Sequence, residues 1–155
     1  MPRTIKKLYH IKAPLHRVWR YFQDGNGLSS WFSERGTLLE THVGGRIAIY
    51  FAGINEIGHG RVTDYVPGKA LGFNWNLGAI NGVEGHSNVK FELSEEIAAN
   101  GKPITLVQLT DLGIPSDPAW ANYYTDVSAG WTYYLMSLKS VCETGYDLRD
   151  LQVQC

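Results

Sequence analysis

Two side chains in this sequence have both the type and the position to do chemistry, Asp111 and Tyr124. Asp111 closes the run Val107-Gln108-Leu109-Thr110-Asp111 and shares the parity of Val107 and Leu109. In a strand, that parity places it on their face, from which it can point toward a packed helix at the mouth of an apolar cavity. A carboxyl held there has its pKa raised by desolvation and can act as a general base. The plainer reading, preferred on sequence alone, is a carboxylate that ends its strand in water. The Tyr124 phenol can orient a ligand or find a backbone partner of its own.

Other chemistries are excluded by spacing. His10, His16, His42, His59 and His86 are scattered, and none falls at a His-x-His or His-x-x-x-His interval. Such intervals are needed to put two imidazoles on one face of an element, so neither a metal nor another cofactor is expected. Gly-x-Ser-x-Gly and Walker-type glycine loops are absent from the sequence, which removes two common nucleophile and phosphate arrangements. Cys142 falls on an apolar helical stripe and reads as a small hydrophobe rather than a nucleophile. Cys155 ends the chain, so the two cysteines do not suggest a disulfide framework.

A set of large apolar residues could surround a ligand. It comprises Trp19, Phe22, Trp31, Phe51, Phe73, Trp75 and Phe91, then Leu109, Trp120, Trp131 and Leu135, with Asp111 and Tyr124 as its polar members. Each one taken singly reads first as core filling; the set suggests a chamber. Burying ~300 Å² of apolar ligand at ~25 cal/mol per Å² contributes about 7 kcal/mol. Association costs of roughly 4 kcal/mol or more offset much of that, so tight binding requires polar anchors.

These residues must be positioned by a small number of elements. Residues 4–12 mix apolar and basic side chains and predict a strand near a sheet edge. Pro14 suits a first helical turn, and Leu15, Val18, Trp19 and Phe22 form one face of a short helix. Asp24-Gly25-Asn26-Gly27 stops that helix, and a second short helix is expected over 28–32. From Gly36 to Leu112 the period is close to two: Ile47, Ile49 and Phe51; Leu71, Phe73 and Trp75; Val89, Phe91 and Leu93; Val107 and Leu109. Glycines between these runs supply turns and bulges, which predicts an antiparallel meander with one buried face. The last element is a long helix with Asp117 as N-cap, Pro118 in its first turn and Gly145 as stop. Gly130 is a weak point, and the turns before Tyr124 could form a separate piece. Trp120, Tyr124, Val127, Trp131, Leu135, Leu138 and Cys142 fall on one stripe of it, which only the sheet is large enough to cover. On the opposite side Tyr133 and Met136 face outward with little charge around them, a surface on which a homodimer could form.

Bulk composition sets outer bounds. A chain of 155 residues with 44% hydrophobic and 12% aromatic content fits one domain, spanning 1–155. The net charge of −1 is spread without a dense basic cluster, which argues against nucleic acid as a partner. The first residues lack the apolar core of a signal peptide, and no run approaches the length of a membrane span. A cytoplasmic protein is expected.

Order and spacing resemble the START-like helix-grip superfamily, specifically the branch named after the activator of the heat-shock protein 90 ATPase. The matching pieces are Ile11-x-Ala13-Pro14-x-x-x-Val18-Trp19, Trp31-Phe32, Gly44-Gly45, Gly60-x-Val62 and Leu71-x-Phe73-x-Trp75. They finish with Gly130-Trp131-x-x-x-Leu135-x-x-Leu138-Lys139-x-x-x-Glu143-x-Gly145. The resemblance implies an α+β fold with β-α-α-β6-α order, in which a curved antiparallel sheet of six to seven strands wraps a long C-terminal helix. It implies a family whose members bind apolar or aromatic small molecules, act as cyclases or aromatases, or serve as chaperone accessories. No shared catalytic signature transfers residue by residue, and fold does not settle function. The expected function is non-catalytic binding of a small apolar or aromatic molecule between sheet and helix. The alternatives are a cyclase-type enzyme using Asp111 and a chaperone accessory. The eukaryotic activators carry an additional N-terminal domain, and a first strand beginning near residue 4 leaves no room for one here. ATPase stimulation is therefore not expected.

Overall fold

Alternation of buried and more exposed positions along 105–111 gives the strand there one face for the core, and the adjoining strand Val83–Ile97 repeats the pattern. In the computed structural model, which describes residues 1–32, 37–51 and 56–149 (the side chains of Phe51, Glu56 and Ile57 excepted), the strands are β1 (Arg3–Ile11), β2 (Leu38–Leu39), β3 (Arg46–Phe51), β4 (Glu56–Val66), β5 (Ala70–Ile80), β6 (Val83–Ile97) and β7 (Pro103–Ile114). They form a seven-stranded antiparallel sheet in the order β1-β7-β6-β5-β4-β3-β2. β1 is therefore an edge strand, as its mixed composition suggests. Phe73, Trp75, Val89, Phe91, Val107 and Leu109 line the inner face and are buried.

Two short helices follow β1: α1 (Leu15–Trp19) and α2 (Gly25–Ser29). α2 begins earlier than the sequence suggests. Asp24 does not merely end the preceding helix; its Oδ1 accepts the Gly27 N–H at 2.8 Å and caps α2. The glycines read as a stop are needed for close approach: a Cβ on Gly25 would lie 1.9 Å from the Thr37 carbonyl, and one on Gly27 2.1 Å from that of Arg20. They let α2 fold against its surroundings rather than breaking it.

The C-terminal segment opens with a 3-10 turn, Pro118–Trp120, capped by the Asp117 carboxylate on the Ala119 N–H at 2.9 Å. α3 (Ala121–Thr144) then runs for 24 residues, straight through Gly130, and ends on left-handed Gly145. The separate first piece exists but ends at Trp120 rather than near Tyr124. The predicted stripe is the buried side of α3: Trp131 is 5% exposed, and Leu135 and Leu138 are fully buried. Complete burial of a Leu side chain contributes about 1.5–3 kcal/mol, so this stripe holds the helix on the sheet far more strongly than helix propensity does.

α3 also runs beside β1. The Tyr124 hydroxyl donates to the Thr4 carbonyl at 3.4 Å, the Lys139 ammonium donates to the His10 carbonyl, and Glu143 accepts the Lys12 N–H at 2.8 Å.

Candidate functional site

The buried interior divides into an aromatic lattice and a polar node, and Trp131 belongs to both. The lattice is assembled from every layer. Phe22 from the segment after α1 lies 5.3 Å from Trp31 and 5.1 Å from Phe91 of β6, between ring centroids. Trp19 stacks on Phe22 at 6.1 Å, and Phe73 meets Trp75 edge-on at 4.6 Å and Phe91 at 6.3 Å. Phe32, which sequence reasoning did not single out for the site, stacks on Trp131 at 5.1 Å. Trp131 in turn meets Phe91 edge-on at 5.7 Å. These offset and edge contacts are the preferred aromatic geometries, and Phe91 is in ring contact with Phe22, Trp31, Phe73 and Trp131. Leu109 and Leu135 are fully buried in the same core. The Phe51 side chain lies outside the described residues.

The node is centred on Asp111. Its carboxylate is 2% exposed, which corrects the expectation of a strand ending in water: β7 continues three residues further, to Ile114, and keeps Asp111 facing inward. Ser87 Oγ, from β6, donates to Oδ1 of Asp111, and Trp131 Nε1, from α3, donates to Oδ2 at 3.0 Å. Among the described residues no cation pairs with it. Burial pushes the Asp111 carboxyl above the usual carboxylate range, and the two donors offset this only in part. Tyr123 stands close by: burial, and secondarily the charge of Asp111, push its phenol well above the ordinary value.

Trp120 completes the node. It is fully buried, meets Tyr123 edge-on at 5.1 Å and donates its indole N–H to the Val83 carbonyl at 2.9 Å. Its ring lies on Gly85, where a Cβ would come within 2.4 Å of it. Tyr124 is elsewhere. Its phenol reaches β1, with the Arg3 guanidinium 5.7 Å from its ring centroid, so it takes the backbone-partner role. Ser87 was legible as an inward position, since it shares the parity of Val89 and Phe91. Tyr123, one position off the predicted stripe, carried no such signal.

Chemically, the node offers a carboxyl that is more basic than usual, two neutral donors already spent on it, and aromatic walls. Cys142, buried on the far part of α3, has its thiol pushed up to about 12 by burial, which keeps it in the unreactive protonated form. Among the described residues no group of histidine, cysteine and carboxylate side chains could hold a metal. Nor is any helix among them long and apolar enough to cross a membrane.

Residues 12–143 match the family model described as Activator of Hsp90 ATPase homolog 1-like protein. The chain belongs to this family. Among curated proteins, none matches the sequence. Solved structures show the same fold. A protein from Mesorhizobium loti superposes with a TM-score of 0.74 at 21% identity, over 90% of this chain and 96% of its own. The Aha1 dimer from Colwellia psychrerythraea gives 0.70 at 22% identity, over 92% and 98%. An HSP90 activator from Plasmodium falciparum gives 0.67 at 16% identity, over 89% and 94%.

Proposed function

We propose that this member of the Hsp90-activator-like family works as a single domain that binds a small apolar or aromatic molecule between the sheet and α3, anchored by Asp111. One observation carries the reading: a carboxylate sits among aromatic rings and, among the described residues, pairs with no cation. Burying such a group costs several kcal/mol unless it is fully compensated. A core built only for stability would be better served by an apolar residue of the same size. An anchor of this kind supplies the directional contact that apolar burial lacks. The aromatic set that extends from Trp19 and Trp31 to Trp75 and Trp120 then forms the wall, with Leu109 and Leu135 behind it.

The test is non-denaturing mass spectrometry of the purified chain, followed by thermal melting with an apolar ligand panel. A co-purifying molecule, or a melting increase that Asp111→Leu abolishes, supports binding. A bare chain that no panel member stabilises removes the reading. In the enzymatic version Asp111 is the base, and a substrate identified this way would be converted by wild type but only bound by Asp111→Asn.

Two partner readings have support of their own. A structure of the same fold is described as a dimer, which favours a homodimer, and Met136, 44% exposed on the outer side of α3, is the reason to place its interface on that face. Family membership and the Plasmodium activator favour a chaperone partner, which an Hsp90 ATPase assay with added protein decides directly. Cys142 as a free thiol supports a reducing, cytoplasmic address.

A further inference from the structure

The outer face of the sheet carries a cleft that has no part in the interior site. Its outward positions are Arg46 and Ala48 on β3, His59 and Arg61 on β4, and Asn74 and Asn76 on β5. Pairing sets Ala48 beside His59, Arg46 beside Arg61, and Arg61 beside Asn74. Ala48 is the small residue among long ones, so the surface drops there into a cleft of about 480 Å³ between these side chains and Leu38. That volume lies within the usual range of small-molecule sites, roughly 300–1,000 Å³.

The cleft is one-sided in its hydrogen bonding. Asn74 Oδ1 accepts the Arg61 N–H at 3.2 Å, and Asn76 Oδ1 accepts the Gly78 N–H at 2.9 Å. Each amide oxygen is turned to a backbone N–H, which leaves its NH₂ group to donate elsewhere. Arg46 is engaged by Glu40, with Nε and Nη2 each 3.2 Å from a carboxylate oxygen. Arg61 has a neutral partner, the Gly44 carbonyl at 3.4 Å, and pairs with no carboxylate among the described residues. Among the described residues that line the cleft, none carries a carboxylate. Past the Asn74–Asn76 wall a second cleft of about 340 Å³ contains Glu84, so the surface changes sign across that wall.

We propose that this cleft binds the oxyanion of a small molecule, a phosphate ester or a carboxylate, with Arg61 as its ion pair and the Asn74 and Asn76 amides donating to its other oxygens. The planar guanidinium fork suits both oxyanions, and Glu84 fixes the polarity by repelling the anion from the far side. Because the site is open to water, the ion pair is screened and binding is weak.

The experiment titrates the full chain with phenyl phosphate, with benzoate, and with sodium chloride at matched ionic strength, and follows ¹H–¹⁵N spectra. Saturable shifts of the Asn74 and Asn76 side-chain amides and the Arg61 Nε–H are expected with one or both aromatic anions, and the stronger arm identifies the oxyanion. Arg61→Gln should weaken binding at least tenfold. Asn76→Asp, which keeps an acceptor for Gly78, should abolish it through repulsion. A separate cleft near the start of α1 is lined by Lys12, Arg17 and Lys102, and Arg17→Gln there should change nothing. The proposal is overturned if the shifts match those with chloride, if both variants bind like wild type, or if the shifts gather at Lys12, Arg17 and Lys102 instead.

Discussion

Trp131 Nε1 lies 3.0 Å from Oδ2 of Asp111, so the central aromatic of the long helix is tied by a hydrogen bond to a buried carboxylate of the sheet. The same indole stacks on Phe32. Replacement of Trp131 therefore removes packing and a donor together, and the two can be separated. Trp131→Ala should lose roughly 3–5 kcal/mol, the usual cost of deleting a large buried aromatic. Trp131→Phe keeps a ring and should lose about 1–3 kcal/mol, mainly by leaving Asp111 under-bonded. Urea unfolding of both variants measures the difference: a Trp131→Phe variant as stable as wild type would mean that the hydrogen bond contributes nothing, and equal losses that the ring packing contributes nothing.

Asp111 predicts a pH dependence with a definite sign. Its carboxyl is raised in the folded protein above an ordinary value of 3.8, so the folded state holds the proton more tightly than the unfolded chain. This contribution is fully present below 3.8 and is lost as pH rises through the elevated folded value. Asp111→Asn cannot titrate. Its stability relative to wild type should rise across that window and level off above it. A difference that stays flat with pH would show that Asp111 ionises normally.

Gly85 and Trp120 should behave as a coupled pair. Gly85→Ala places a methyl 2.4 Å from the indole and should cost about 1–3 kcal/mol by overpacking. In a Trp120→Leu background most of that cost should vanish, because the clashing ring is gone. A double-mutant cycle that is additive within about 0.5 kcal/mol would exclude the contact.

The outer side of α3 is tested by Met136→Lys. Sedimentation at tens of micromolar should find a dimer in wild type and a monomer in the variant, with unchanged melting behaviour. A wild-type monomer, or a dimer indifferent to the added charge, removes this interface.

The elements themselves were largely legible because alternation and the helical stripe are local signals with long-range consequences. Ile47, Phe73, Phe91 and Leu109 all face the core as their parity requires. The candidate site was less legible, for physical reasons. Whether Asp111 ends its strand in water or turns inward depends on how far β7 continues and on Trp131 and Ser87 arriving from other elements, which no local pattern encodes. Tyr123 and Tyr124 are adjacent in sequence, yet one approaches the carboxylate and the other the sheet edge. The rotation between neighbouring helical residues, about 100°, decides which does which. Asp24-Gly25-Asn26-Gly27 was read as a stop because glycines and a cap residue mark either end of a helix equally well.

The contacts of α3 with β1 have a consequence for the unfolded and partly folded chain. A nine-residue edge strand offers a row of open backbone groups on which another chain could add a strand. Tyr124 and Lys139 occupy the carbonyls of Thr4 and His10, and Glu143 takes the N–H of Lys12. The helix that closes the interior thereby also shields the margin of the sheet from self-association. Since α3 follows all seven strands in the chain, a nascent chain that has not yet made it holds that margin bare, and its solubility depends on how soon the helix docks.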